Sequence, residues 1–165
     1  MLGVSAVITL LTAGYGIDVS MNYQKVQASQ SASSTVQGRL LDAVQRARSS
    51  VNGGATMVFT QDSYNEVQFA LYDGVPDASQ SMSANPIEGP WDLTPNVTIA
   101  APGVSQSTPI AIIINTDGTS ALASWRPGKA DLASEPNCTG NEELVFAWGT
   151  ASTTSSLNCA TTQLQ

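Results

Sequence analysis

The amino-acid sequence predicts an α+β fold in which one long N-terminal helix packs on an antiparallel β-sheet. Two observations predict this class. Residues 1–75 contain no proline, and the apolar residues in the later part of 1–52 recur at helical spacing. From residue 53 onwards, short apolar or alternating runs are separated by glycine- and proline-rich turns, which is typical of strands. At 165 residues, the chain is long enough for one domain and an appendage.

The helix is predicted in two halves. Residues 1–25 are the hydrophobic half, and residues 26–52 are the amphipathic half. Asn52-Gly53-Gly54 marks the predicted end, because asparagine and glycine readily adopt the left-handed cap conformation. The apolar residues that steps of four and three place on one face, and that we expect to pack on the head, are Val36, Leu40, Val44, Ala47 and Val51.

The apolar start of the chain is short for a membrane span. Residues 1–17 carry no charge, and as a helix they would extend ~26 Å against a hydrocarbon core of ~30 Å. Their small residues would allow neighbouring helices to approach closely. A signal peptide is the alternative, but it should open with lysine or arginine, and this segment has neither.

Residues 53–165 are predicted to form a β-rich head. We expect loops at 74–95 and 126–140, and a serine- and threonine-rich tail after the last clear strand. The strands would build one antiparallel sheet of four to six members. The predicted strands are 55–61, 66–73, 97–101, 109–115, 120–125 and 143–148.

Charge is distributed unevenly, with a net value of −7. Residues 18–51 hold four basic and two acidic side chains, whereas residues 52–165 hold two basic and eleven acidic ones. An acidic head repels phosphate backbones, so we expect no nucleic acid to bind there. The chain has no histidine, which removes the commonest general base and metal ligand. We therefore expect no catalytic residue, no metal site and no cofactor.

The two cysteines, Cys138 and Cys159, favour a disulfide over a metal site. The chain contains no Cys-x-x-Cys pair and no histidine to complete a ligand set. A disulfide would close the loop 138–159 and implies an oxidising compartment. Two unpaired thiols in a cytosolic protein remain the alternative.

This order of elements resembles the type IV pilin and pseudopilin superfamily. The run Met-Leu-Gly-Val-Ser-Ala-Val-Ile-Thr-Leu-Leu-Thr-Ala-Gly at residues 1–14 looks like the continuation of the prepilin motif. Its Thr12-Ala13-Gly14 resembles the small-residue patch of type IVb pilins. The family's glutamate at the fifth mature position is absent, and Ser5 stands there. The simplest account is that the sequence begins about five residues inside the mature pilin.

The resemblance implies a structural subunit of a type IV pilus, used for adhesion, motility or DNA uptake, and not an enzyme. The apolar half-helix would lie in the inner membrane before assembly and in the filament core of an extracellular pilus afterwards. The implied partners are copies of the chain, the pilus assembly machinery and a host or surface receptor. The residues expected to pack in the filament core are Leu2, Val4, Val7, Ile8, Leu10, Leu11, Ala13, Gly14 and Ile17.

Two alternatives follow from the same sequence. Residues 41–48 and 114–119 look like parts of the minor pseudopilins of type II secretion and of the related minor pilins, which would place the subunit at the tip of a pilus or of a secretion machine. The other alternative is a secreted monomeric binding domain whose first ~16 residues are a cleaved signal peptide.

Overall fold

A computed structural model describes the backbone of residues 2–76, 85–105, 108–126, 131–132 and 140–165. Side chains are described from Val19 onwards, except at 131–132. The helix α1 spans Leu2–Ser49. The strands are β1 Gly54–Gln61, β2 Val67–Asp73, β3 Glu88–Asp92, β4 Thr98–Ala100, β5 Ile110–Asn115, β6 Ser120–Arg126, β7 Asp131–Leu132, β8 Asn141–Trp148, β9 Ala151–Asn158 and β10 Gln163–Leu164.

The described strands form two antiparallel sheets beside the helix. The larger sheet has the order β3-β2-β1-β5-β6-β7, and the smaller sheet has the order β10-β9-β8-β4. Helix α1 contacts β1 and β5 of the larger sheet and β8, β9 and β10 of the smaller one. The predicted α+β class is confirmed. The expectation of one sheet is wrong, because the C-terminal strands pair with each other and with β4 instead of joining the larger sheet.

One apolar core lies between the helix and both sheets. It includes Leu40 of α1, Phe59 and Ile112 of the larger sheet, and Leu144 and Phe146 of the smaller sheet. Each of these side chains is almost completely buried. Burial of one such side chain stabilises the fold by about 1.5–3 kcal/mol relative to exposure. The shared core therefore holds the helix and the two sheets together.

The central strand β5 is buried on both of its faces. Ile110, Ile112 and Ile114 belong to the main core, whereas Ala111 packs with Val58 and Trp125 in a second cluster on the other side of the sheet. A strand that is buried on both faces has a continuous run of apolar residues, which explains why β5 is the most apolar strand of the head.

Four of the described strands lie where the sequence predicted a loop or a serine- and threonine-rich tail: β3, β7, β9 and β10. β3 lies inside the predicted loop 74–95 at the edge of the larger sheet, a position that tolerates Pro90. β9 belongs to the serine- and threonine-rich tail and pairs with β8 along its full length. Its hydroxyl residues lack the apolar alternation that marks a strand in sequence, so the pairing with β8 defines it.

The helix ends earlier than predicted, at Ser49 rather than residue 52. Ser50 Oγ donates to Asp73 Oδ1 over 2.7 Å, and Asn52 Nδ2 donates to the other carboxylate oxygen of Asp73. These contacts direct the chain away from the helix axis towards β2. The predicted contact of Val51 with the head is therefore wrong, since Val51 is 95% exposed.

Candidate assembly surface

The N-terminal part of α1 extends beyond the head. Ala28 is the first described apolar residue of the helix that packs against the core. Residues 2–27 precede it and, at 1.5 Å per residue, correspond to ~39 Å of helix. Between Val19 and Gln27 every described side chain is exposed except that of Lys25, which is half-buried. The head therefore leaves the helix between Val19 and Gln27 largely uncovered.

An exposed apolar stripe runs along this uncovered segment. Val19 is 68% exposed, Tyr23 63% and Val26 37%. Their spacing of four and three places them on one side of the helix, one turn above another. We call these three residues the helix stripe. The helix stripe is therefore a candidate contact surface.

The residues predicted to pack in a filament core precede the helix stripe. Their backbone is helical, since α1 begins at Leu2. The side chains of residues 2–18 lie outside the described part of the structure. The predicted set, which stays a prediction, is Leu2, Val4, Val7, Ile8, Leu10, Leu11, Ala13, Gly14 and Ile17.

Within the described residues, no helix combines the length and the apolar character that a membrane crossing requires.

The C-terminal part of α1 is fixed to the head by an apolar face. Four of the five residues predicted for this role, Val36, Leu40, Val44 and Ala47, are buried in the core. Val51 is not, as described above. Ala32 and Ala43 are buried on the same face. Ala32 was missed as a head contact, although it lies one turn before Val36 and so falls on the predicted face.

Polar contacts fix the helix on the smaller sheet, and sequence reasoning missed them. Ser33 Oγ lies 2.7 Å from Ser155 Oγ of β9. Gln37 Nε2 donates to the carbonyl oxygen of Leu164 in β10 over 3.2 Å. Directional bonds of this kind set the position of the helix along the sheet more narrowly than apolar contact does. No local sequence pattern links positions 33 and 37 to the C-terminal strands.

The opposite side of the helix carries arginines that meet β3. The guanidinium carbon of Arg39 lies 4.4 Å from the ring centroid of Trp91, and this ring packs on Phe69. Arg46 forms an ion pair with Glu88. A surface cavity of about 400 Å³ opens here, which we call the helix cavity. Its lining residues are Arg39, Asp42, Gln45, Arg46, Ser49 and Glu88.

The turn between β5 and β6 lies at the C-terminal end of the helix. Asp117 Oδ1 accepts a hydrogen bond of 2.9 Å from the backbone N–H of Thr119 and one of 2.7 Å from the Thr119 hydroxyl group. These bonds, the backbone one first, lower the pKa of the Asp117 carboxyl. Gly118 faces the guanidinium of Arg48 at close range. This turn therefore presents a fixed carboxylate beside the last turn of α1.

Cys159 joins the two sheets at the end of β9. It is buried and disulfide-bonded. Its N–H donates to the carbonyl of Gly140, and its own carbonyl accepts from the N–H of Ser120 in β6. The other cysteine of the chain, Cys138, lies outside the described residues, so the pairing of Cys138 with Cys159 stays a prediction.

No cluster of three or more potential metal ligands occurs among the residues that the structure describes. Two pairs of acidic residues lie close together in the sequence, Glu142 with Glu143 and Asp131 with Glu135. In β8, Glu142 is buried and Glu143 is exposed, so the two point to opposite sides of the strand. The side chains of Asp131 and Glu135 lie outside the described part.

Comparison with known proteins found no relative. No protein-family model matches the chain, and neither the curated proteins nor the solved structures contain a significant match.

Proposed function

We propose that the protein is a structural subunit of an extracellular type IV pilus-like filament and polymerises through its N-terminal helix. The observation that carries the proposal is the uncovered segment of α1 with its exposed helix stripe. A single copy leaves these apolar side chains in water, and bundling of several copies would remove them from it.

The order of elements also supports this function. A long helix is fixed by its C-terminal part to an antiparallel β head and is exposed between Val19 and Gln27. In the pilin superfamily, which the sequence resembles, the same division separates the filament core from the outer surface.

Charge explains why the helices, and not the heads, would supply the main contact. The head holds eleven acidic against two basic residues, so direct approach of two heads is opposed by repulsion. The segment 1–17 is uncharged. Subunits would therefore meet along their helices and place their acidic heads outwards.

A charge placed in the helix stripe tests the proposal. Filaments sheared from cells that make the protein should contain the wild-type chain and should lack a chain with Tyr23→Glu, because the carboxylate would be buried between helices at a cost of several kcal/mol. The measurement is the fraction of chain in the sheared filaments, detected by immunoblot and electron microscopy.

The matched control is Gln24→Glu, which adds the same charge to an exposed residue on another side of the helix, away from the helix stripe. It should assemble at close to the wild-type yield. Absence of wild-type chain from every filament, or normal assembly of Tyr23→Glu, would contradict the proposed function.

A further inference from the structure

The junction between α1 and the larger sheet is held by the carboxylate of Asp73. Ser50 Oγ donates to one of its oxygens over 2.7 Å, and Asn52 Nδ2 donates to the other oxygen. The backbone N–H of Asn52 donates in turn to Ser50 Oγ over 3.0 Å. We call these three residues the junction contact. The side-chain amide of Asn52 is therefore a donor on which this contact depends.

Asn52 is the only asparagine of the chain that precedes a glycine. An asparagine side chain loses its amide nitrogen when the backbone nitrogen of the next residue attacks the side-chain carbonyl carbon. A side chain on that next residue hinders the approach, and glycine has none. The sequence therefore favours this covalent change at Asn52 over the other asparagines.

The structure leaves the attacking nitrogen accessible. Asn52 and Gly53 are both exposed. The N–H of Gly53 forms no hydrogen bond within the described part of the chain. A β-carbon added to Gly53 would meet nothing within 4 Å, so the space around this residue is open. Water can therefore reach this N–H and remove its proton, which must leave before the nitrogen attacks.

Asn65, in the turn between β1 and β2, offers a contrast within the same chain. It is also exposed, and its backbone lies in the left-handed region with φ of 62°. The following N–H belongs to Glu66 and donates to Asp62 Oδ1 over 2.9 Å. This nitrogen is held by a hydrogen bond and belongs to a residue with a side chain. Asn65 should therefore resist the reaction to which Asn52 is open.

We propose that Asn52 is a site of spontaneous deamidation and that its product weakens the junction between α1 and the larger sheet. The Gly53 nitrogen loses its proton to water and bonds to Cγ of Asn52, and the side-chain nitrogen leaves as ammonia. Water then opens the cyclic imide at either carbonyl carbon, which gives aspartate or isoaspartate at position 52. No oxidant or reductant takes part. The inference does not depend on the proposed function.

The product changes the junction contact in two ways. Position 52 loses the amide donor and gains a carboxylate that faces the carboxylate of Asp73. Like charges at this separation repel each other, and Asp73 also loses a hydrogen bond. In the isoaspartate product, the backbone between α1 and β1 is one carbon atom longer. Deamidation therefore loosens the connection of the helix to the head as the protein ages.

Peptide mapping by mass spectrometry tests the modification in the full chain. After incubation in mildly alkaline buffer, aspartate and isoaspartate should accumulate at position 52 several-fold faster than at position 65. Isoaspartate is the diagnostic product, because only the cyclic imide gives it. Equal conversion at the two positions, or aspartate without isoaspartate at position 52, would overturn the inference.

Two variants test the effect on the junction contact. Asn52→Asp reproduces the aspartate product and should lower the midpoint of thermal unfolding by roughly 2–4 °C. Asn52→Asp combined with Asp73→Asn exchanges the amide and the carboxylate, restores one donor and one charge, and should recover most of the loss. An unchanged midpoint in Asn52→Asp, or no recovery in the double variant, would contradict the proposed weakening.

Discussion

At the scale of single residues, Leu40 and Leu41 are chain neighbours with opposite surroundings. Leu40 is completely buried in the core between the sheets, and Leu41 is 49% exposed on the outer side of the helix. Leu40→Ala should lower the free energy of unfolding by about 2–5 kcal/mol through lost transfer energy and a residual cavity. Leu41→Ala should change it by no more than about 0.5 kcal/mol. Chemical denaturation of both variants measures the difference, and equal losses would show that α1 is not packed on the head as described.

Asp117 gives a residue-scale prediction for pH. The N–H and the hydroxyl of Thr119 hold the pKa of its carboxyl below the ordinary aspartate value. A group whose pKa is depressed by folding stabilises the fold above its unfolded pKa, and this contribution is lost as the pH falls through the folded pKa. Thr119→Val removes the hydroxyl but keeps the N–H, so the pKa should rise only part of the way. Carboxyl chemical shifts in an NMR titration measure it, and an unchanged pKa would contradict the role of the hydroxyl.

At the scale of elements, the local sequence pattern was sufficient to predict α1 and most strands of the larger sheet. Helical spacing at Val36, Leu40, Val44 and Ala47 marks the buried face of α1, and apolar runs mark β1, β2 and β5. The sequence pattern did not predict the local structure where tertiary contacts determine it. Asp73 redirects the chain after Ser49, and β9 owes its strand conformation to pairing with β8. The helix cavity also joins α1 to β3, a strand that was itself missed, so this site could not be predicted.

Two glycines in different elements should respond oppositely to alanine. Gly38 lies in the middle of α1, and a β-carbon added there would meet nothing within 4 Å, so Gly38→Ala should raise stability by about 0.5–1 kcal/mol. Gly118 has φ of +86°, and a β-carbon there would lie 2.9 Å from Arg48 Nη2, so Gly118→Ala should lower stability by about 1 kcal/mol or more. Thermal unfolding of both variants checks the signs, and stabilisation by Gly118→Ala would contradict the described turn.

At the scale of the whole molecule, helix α1 has a C-terminal part that packs on both sheets and an exposed segment before it. The two sheets contact α1 from Ala28 onwards, and the helix is exposed between Val19 and Gln27. The acidic residues are concentrated in the head, and residues 1–17 carry no charge. In the proposed polymer, the helices would form the core and the acidic heads would lie outside.

Electron cryo-microscopy of filaments sheared from the producing cells is the first measurement to make, because it shows where the helix and the head of each copy lie. If the chain is a filament subunit, the density should show copies of it with α1 along the filament axis, the helix stripe buried between neighbouring helices and the β heads outside. A chain found only as a soluble monomer that lacks residues 1–16, or a filament in which Val19, Tyr23 and Val26 face solvent, would contradict the proposed function.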